Sequence, residues 1–354
     1  MLQERPNLRF GLEIALGIGA VLAVSLIASR FIWQTKKKKK ITRIIDTIEE
    51  LQKPNVRMKD PDKVEDIVCQ LINGRASKLQ VISDFDHTIT RIHYQQKPCS
   101  STYSILDSSP YIREECRKKA KDLHSKYYPI EIDPTISIED KIPKMVEWYT
   151  QAHHVVGTSG VKKSDFTKMV ESSDVMLRSG CELLFDTLNT NGIPLLIFSA
   201  GLGDLVKEVL THFGTLYPNM KFVGNFMDFD EEGNTIGFKG EVIHMFNKNQ
   251  SSIHNSEYFN QLKHRNNIIL MGDSLGDLQM ADGVPQPVNV LRIGFLNHKV
   301  EESLPKYLDG YDIVLVDDQS MNLVNGLLQR IFIPLTVRKP QKLFICDSLV
   351  MTCG

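Results

Sequence analysis

Four short apolar runs, each followed at once by a polar or acidic residue, limit what this chain can fold into. The runs cover residues 79–83, 193–198, 268–271 and 313–316. They are rich in valine, isoleucine and leucine, and longer segments with helical periodicity separate them. Runs of this kind are typical of buried parallel strands. The sequence therefore predicts an α/β fold with a parallel sheet, whose chemistry lies beyond the carboxyl ends of the strands.

The segment between the first two runs breaks this pattern. It is rich in charged and aromatic residues and contains no strand-like run. Amphipathic stretches predict helices at residues 111–127, 138–153 and 164–178. We therefore expect residues 92–185 to form a helical cap domain inserted after the first strand. Residues 41–91 and 186–332 would form the core, beginning with a helical region over residues 41–75.

The N-terminal segment reads as a membrane anchor. Residues 10–33 are long enough to span a bilayer, which takes about 20 apolar residues, if Glu13 and Arg30 lie near opposite interfaces. Five consecutive lysines follow at residues 36–40, the reverse of the charge order in a cleavable signal peptide. The positive charge predicts that everything after residues 1–40 faces the cytosol. The alternative is a leader that is merely apolar.

Composition narrows the remaining possibilities. With 42 Lys and Arg residues against 43 Asp and Glu residues, the chain has no general basic field to hold a nucleic-acid polymer. Its 42% hydrophobic content excludes global disorder. Six scattered cysteines indicate neither a zinc site nor a disulfide framework. The tail at residues 333–354 contains two prolines and is assigned to neither domain.

Three polar clusters at the predicted strand ends could carry chemistry: residues 84–88 (DFDHT), 198–204 (FSAGLGD) and 272–277 (GDSLGD). In the first, one carboxylate could attack phosphorus while the other transfers a proton. The second, a hydroxyl and glycines entering a helix, suits phosphate oxygens. The third adds acids for an oxygen-ligated Mg²⁺. Each cluster taken singly has a structural alternative, because strand-end acids and Ser199 can simply be helix N-caps.

The order and spacing of these clusters resemble the haloacid dehalogenase superfamily of aspartyl-phosphate phosphatases. Residues 56–330 more closely resemble the cytosolic 5′-nucleotidase III family. Strings characteristic of that family recur at residues 128–134 (YPIEIDP), 145–149 (MVEWY), 226–230 (FMDFD) and 246–248 (FNK). The resemblance implies a Rossmann-like core with a cap. It also implies hydrolysis of nucleoside 5′-monophosphates by a catalytic domain that we expect to be monomeric. The N-terminal anchor is similar to that of the family's long form, which is associated with the endoplasmic reticulum.

The resemblance also implies a magnesium site and two catalytic carboxylates. Asp84 would be the nucleophile and a Mg²⁺ ligand. Asp86 would protonate the leaving nucleoside oxygen, then activate water, and its backbone carbonyl would bind the metal. Asp273 would be the third Mg²⁺ ligand, and Asp277 would support the metal site.

Further matching residues would bind the substrate. Ser199 and the backbone N–H of Ala200 would hold phosphoryl oxygens, and Lys248 would neutralise their charge in the transition state. Glu131 would read the base, since a carboxylate can accept from the exocyclic amine of cytosine. The alternative for Glu131 is a solvated surface acid.

The preferred base stays open. Ala152, residues 99–109 and residues 129–134 are similar to the branch of the family that also favours 7-methylguanosine monophosphate. Trp148, Tyr149 and the N-terminal anchor instead resemble the pyrimidine branch. The aromatic pair could stack on a base or serve as cap core. Two other functions compete: a phosphatase of phosphoserine or sugar phosphates, and a non-catalytic, membrane-tethered binding protein. Glu131 and Trp148 argue against the first, and the intact clusters argue against the second.

Overall fold

The computed structural model describes residues 43–133, 135–249, 256–282, 284 and 287–332. The chain divides into two units, Met1–Arg43 and Ile44–Gly354, and the described strands and helices belong to the second. The expected anchor at residues 10–33 and the tail at residues 333–354 lie outside the described residues. Within the part of the chain that is described, no helix is long and apolar enough to cross a membrane.

In the described residues, eight strands form one sheet. They are β1 Val56–Arg57, β2 Leu79–Ser83, β5 Leu195–Leu202, β6 Met220–Phe229, β7 Thr235–Lys239, β8 Asn267–Gly272, β9 Asn289–Leu296 and β10 Ile313–Val316. Their order across the sheet is β1-β10-β9-β8-β2-β5-β6-β7. The six strands from β10 to β6 are parallel, and β1 and β7 are antiparallel edge strands. A short hairpin, β3 His93–Tyr94 and β4 Lys97–Pro98, stands apart from this sheet.

Helices cover the sheet and build the cap. They are α1 Pro61–Lys78, α2 Thr102–Ser108, α3 Glu114–Glu131, α4 Ile138–Gly157, α5 Phe166–Glu171, α6 Cys181–Thr190, α7 Gly203–His212, α8 Ser256–Gln261, α9 Val300–Gly310 and α10 Asn322–Phe332. Helix α1 shows how the sequence sets such an element. The Asp60 side chain caps it by accepting from the Lys63 N–H, and Pro61 occupies the first turn.

The central strands are buried on both faces. Every residue of β2 and β8 is buried, as expected for parallel strands with helices on either side. Alternate residues enter different core clusters: Val81 and Ile269 lie in one, and Ile82 and Leu270 lie in the other. The predicted α/β fold with a parallel sheet is confirmed, and each of the four apolar runs corresponds to a strand.

The structure also contains elements that the sequence patterns did not indicate. Strands β6 and β9 were not predicted, because polar residues such as Asn225 and Arg292 interrupt their apolar character. The region 41–75, predicted to be helical, contains two 3₁₀ turns and β1 before α1 begins at Pro61. The third amphipathic stretch is helical only to Glu171.

The cap segment leaves and returns to the core through one paired junction. Thr90 pairs antiparallel with Leu177, and the Arg91 N–H donates to the Met176 carbonyl at 2.8 Å. The boundary expected at residue 185 falls inside α6, whose buried face belongs to the core. We therefore propose that the cap lies between the paired residues Thr90 and Leu177.

Candidate active site

Three adjacent strands bring the sequence clusters to one edge of the sheet. Strand β2 lies between β8 and β5, so the loops that follow these strands are neighbours. Residues 84–88 follow β2, residues 272–277 follow β8, and the second cluster forms the end of β5. A fourth segment, the loop that carries Lys248, reaches the same place.

Asp84, Asp273 and Asp277 form an acid cluster around a buried lysine. Each offers a carboxylate oxygen, and these oxygens lie within 4.8 Å of one another. Lys248 Nζ donates to Asp84 Oδ1 and, at 2.8 Å, to Asp277 Oδ1. Asp84, Asp277 and Lys248 are all buried, whereas Asp273 is half-buried.

The electrostatics of the cluster favour a cation. Burial raises the pKa of Asp84 to about 7, with Lys248 opposing the rise and Asp277 adding to it. Burial, together with the charges of Asp84 and Asp277, raises the pKa of Asp273 well above its ordinary value. For Lys248, burial lowers the pKa, but the carboxylates of Asp277 and Asp84 outweigh burial and raise it. The ammonium of Lys248 does not neutralise all three carboxylates, and the three side chains offer only oxygen ligands. Such a site fits Mg²⁺.

Asp277 is committed to holding the loop rather than to an open coordination position. Its Oδ2 accepts from the Asp273 N–H at 3.1 Å and from the Ser274 N–H and hydroxyl, both at 2.9 Å. Its Oδ1 accepts from Lys248. Asp84 and Asp273 are therefore the side chains of this cluster that are available to a metal.

The two glycines of the GDSLGD cluster are required by close approach. A Cβ on Gly272 would lie 2.4 Å from the Asp277 Cβ. A Cβ on Gly276 would lie 2.0 Å from the Met245 carbonyl oxygen, which belongs to the loop that carries Lys248. The acid cluster can therefore pack in this way only if both positions are glycine.

Ser199 and Ala200 lie at the end of β5. The buried Ser199 Oγ accepts from the Gly201 N–H at 2.9 Å. The Ala200 carbonyl accepts from Asn225 Nδ2 at 2.8 Å, and Asn225 also exchanges two hydrogen bonds with the backbone of Ile243. Asn225 therefore fixes the start of the Lys248 loop against the end of β5. Sequence reasoning did not identify Asn225.

Arg178, also missed from the sequence, holds the loop after β2. It is buried and donates to the Thr88 carbonyl at 2.7 Å and to the His87 carbonyl. His87 has a left-handed backbone with φ of 62°. The guanidinium also donates to Asn297 Oδ1 at 3.1 Å and lies over the Phe295 ring. One arginine thus links the 84–88 loop to the loop after β9.

Two tyrosines hold the loop that carries Asp273. The Tyr307 hydroxyl donates to the Asp273 carbonyl and the Tyr311 hydroxyl to the Ser274 carbonyl, both at 2.5 Å. Their rings stack with centroids 5.6 Å apart. Tyrosines four residues apart at a helix end carry no sequence signal for this role, because their acceptors belong to a distant loop.

Glu131 ends helix α3 in the cap and is half-buried. Its backbone carbonyl accepts from Lys141 Nζ at 2.8 Å. Burial raises the pKa of its carboxyl group to about 7, and the positive charges of Lys141 and Lys248 oppose this rise. The half-buried setting of Glu131 differs from that of a fully solvated surface acid.

The aromatic pair of the cap occupies two different settings. Trp148 stacks on Tyr127 at 5.9 Å within the cap. Tyr149 lies edge-on to Tyr103 at 5.9 Å and lies 6.3 Å from His244, which belongs to the Lys248 loop. Tyr149 therefore connects the cap to the core, whereas Trp148 packs against cap residues.

Comparison with known proteins identifies the family of this chain. The family model described as "Pyrimidine 5′-nucleotidase (UMPH-1)" matches residues 87–332. The human 7-methylguanosine phosphate-specific 5′-nucleotidase is 49% identical over 286 residues, which cover 81% of this chain and 95% of that protein. The Drosophila melanogaster protein of the same name is 38% identical, over 81% of this chain and 90% of its own.

A solved structure shows the same fold. The crystal structure of cytosolic 5′-nucleotidase IIIB bound to cytidine matches with a TM-score of 0.76 and 37% identity, covering 81% of this chain and 97% of that one. The parallel sheet with acids at its carboxyl edge corresponds to an α/β fold of the haloacid dehalogenase type. The chain belongs to the pyrimidine 5′-nucleotidase family. It is an enzyme, a 5′-nucleotidase that acts on nucleoside monophosphates.

We expect Gly276→Ala to lower phosphate release from CMP at least about tenfold, because misplacing catalytic groups by about 1 Å can cost a hundredfold. The added Cβ must push the Asp277 loop away from the Met245 carbonyl and hence from Lys248. Gly237→Ala is the matched control, since its Cβ would meet nothing within 4 Å. Steady-state kinetics and thermal melting of both variants check this. Wild-type values for Gly276→Ala would contradict this requirement for glycine.

Proposed function

We propose that this enzyme hydrolyses nucleoside 5′-monophosphates with Mg²⁺, through a phospho-aspartate formed on Asp84. The observation that carries the proposal is the acid cluster itself. Carboxylates from two neighbouring strand ends converge around buried Lys248, next to a strand end that suits phosphate. A carboxylate nucleophile and a phosphate dianion repel each other, so the reaction needs positive charge placed next to both of them.

Magnesium would be held by Asp84, Asp273 and the backbone carbonyl of Asp86, with Asp277 supporting the site. When bound, the ion supplies positive charge that lets a carboxylate approach the phosphate dianion. Hydrogen bonds within the chain order the loop that would present Asp273 to the ion. Asp277 holds the loop through the Asp273 and Ser274 N–H groups, so the Asp273 carboxylate is presented by an ordered backbone.

The chain's residues divide the chemistry between two steps. An Asp84 oxygen attacks phosphorus, and the bond to the nucleoside oxygen breaks as that oxygen takes a proton from Asp86. Water then attacks the phosphorus and gives a proton to Asp86. This attack breaks the bond between Asp84 and phosphorus and releases phosphate. Ser199, the Ala200 N–H and Lys248 hold the phosphoryl oxygens throughout. Both carboxyl groups end as they began, so the cycle is closed.

Substituting the two carboxylates tests this mechanism. Asp84→Asn should abolish turnover, because an amide cannot form the acyl phosphate. Asp86→Asn should slow both proton transfers, which are typically worth 10²–10⁴-fold. Phosphate release from CMP measures both effects. Beryllofluoride, which mimics a phosphoryl group on aspartate, should give an adduct at Asp84 that Asp84→Asn lacks. An Asp84→Asn enzyme with more than about a hundredth of wild-type activity contradicts covalent catalysis by this residue.

We further propose that the cap selects the base and that both CMP and 7-methylguanosine monophosphate are substrates. The human relative's name specifies 7-methylguanosine phosphate, and the similar solved structure holds cytidine. Glu131 is a half-buried carboxyl group at the end of the cap helix α3, and the charge of Lys248 affects its pKa. A carboxylate accepts from the exocyclic amine of cytosine, and a cationic methylated guanine gains from a carboxylate and from an aromatic face. Unmethylated GMP and AMP should be poor substrates.

Glu131→Ala should raise KM for CMP and for 7-methylguanosine monophosphate, while hydrolysis of p-nitrophenyl phosphate stays nearly unchanged, because only base recognition is lost. Glu115→Ala, an exposed glutamate in the first turn of the same helix, is the matched control. Steady-state kinetics on the three substrates checks this. Equal losses on the generic ester would mean that Glu131 shapes the active site rather than its specificity. Efficient AMP hydrolysis by the wild type would contradict the proposed base selection.

We also propose that residues 10–33 anchor the enzyme in the endoplasmic reticulum membrane with the catalytic domain in the cytosol. The sequence alone supports this, through the apolar stretch and the lysines at 36–40. In microsomes, protease without detergent should digest the catalytic domain. Protection of that domain would contradict the orientation, and release of the protein by alkaline extraction would contradict the span.

A further inference from the structure

We propose that Thr102, a cap residue, positions Asp86 for both of its proton transfers. This inference rests on the proposed function of Asp86 as proton donor and acceptor. Thr102 is the first residue of helix α2 and is fully buried. Its backbone N–H donates to Asp86 Oδ1 at 2.9 Å, and its hydroxyl donates to Asp86 Oδ2 at 2.6 Å. One residue therefore binds both oxygens of the carboxylate.

The N–H of Thr102 is available because of its place in the helix. The first N–H groups of a helix have no acceptor within the helix. Ser101, the N-cap residue, satisfies the Ser104 N–H at 3.3 Å, and the Ser104 hydroxyl accepts from the Ser101 N–H at 2.7 Å. The capping interactions thus leave the N–H of Thr102 to Asp86.

The hydroxyl of Thr102 links a third segment to this contact. While it donates to Asp86, it accepts from the Leu202 N–H at 3.2 Å, at the end of β5. A Cβ on the neighbouring Gly201 would lie 2.2 Å from the Thr102 hydroxyl and 2.5 Å from Asp86 Oδ2. The loop after β2, the start of the cap and the phosphate-binding strand end therefore meet at Thr102, and only glycine leaves room for them.

This arrangement suits a carboxylate that must act twice at one place. Asp86 first serves the nucleoside oxygen and then a water molecule that attacks from the vacated side. A free aspartate side chain can rotate among several conformations, whereas one hydrogen bond from the backbone N–H and one from the side-chain hydroxyl of the same buried residue hold it in one. Because Thr102 belongs to the cap segment, the placement of the cap and the orientation of Asp86 are coupled.

Thr102→Val tests the inference, because valine keeps the shape and the N–H but removes the hydroxyl. We expect kcat for CMP to fall about 10–100-fold, within the range for impaired proton transfer, while KM changes less than about threefold. Thr102→Ser, which restores the hydroxyl, should stay within about threefold of wild type. Thr215→Val is the control, since Thr215 is equally buried and its hydroxyl donates to the Leu210 carbonyl, away from the site.

A second measurement separates positioning from a merely structural role. The nitrophenolate of p-nitrophenyl phosphate leaves without a proton, so its pre-steady-state burst should keep its rate in Thr102→Val. Wild-type kcat for CMP in Thr102→Val overturns the inference. So does an equally slowed burst, or a Thr102→Ser enzyme that melts normally but is as impaired as the valine variant. If Thr102→Val does not fold, Thr102→Ala carries the same comparison.

Asp86→Asn, measured in parallel, separates failure of this inference from failure of the proposed function. If Asp86→Asn keeps wild-type kcat for CMP, the proposed role of Asp86 is wrong, and the inference falls with it. If Asp86→Asn is impaired while Thr102→Val is not, only the positioning role of Thr102 is wrong.

Discussion

The buried ammonium of Lys248 between Asp84 and Asp277 is the contact on which the active site depends. These residues come from three loops, and removing one partner of such a buried pair typically costs about 3–5 kcal/mol, because a charge is left uncompensated. The contact therefore holds the loops at one fixed separation. The loop that carries Lys248 is held by two further contacts. Asn225 on β6 binds the backbone of Ile243, and Gly276 packs closely against the Met245 carbonyl.

We propose that phosphate chemistry and base recognition lie in different parts of the chain. Two of the contacts between the cap and the core bring them together. In one, Thr102 binds Asp86. In the other, Tyr149 of the cap lies beside His244 of the Lys248 loop. The cap therefore contacts both Asp86 and the loop that carries Lys248, and we propose that it influences how these groups are oriented as well as which base is bound.

Elements of the fold that depend on residues close together in the sequence could be predicted from the sequence. The buried strands were recognisable because their apolar residues are contiguous. Asp84, Ser199 and Asp273 were recognisable because they come at the ends of these apolar runs. Arg178 and Tyr307 could not be predicted, because each acts on a backbone carbonyl of a loop that is distant in sequence. Strand β9 was missed because half-buried polar residues break its apolar run. Long-range acceptors become visible only once the sheet order is known.

The paired junction at Thr90 and Leu177 has a consequence for how such enzymes diversify. The inserted segment leaves and returns to the core at this junction, and it also pairs with the turn between β6 and β7, where Lys162 bridges Asn234. Substitutions in the insert that lie away from the junction and from this bridge should therefore leave the strand register unchanged. We therefore expect differences in nucleotide preference to arise mainly between Thr90 and Leu177. Within this segment, Thr102 should tolerate little variation, because it binds Asp86.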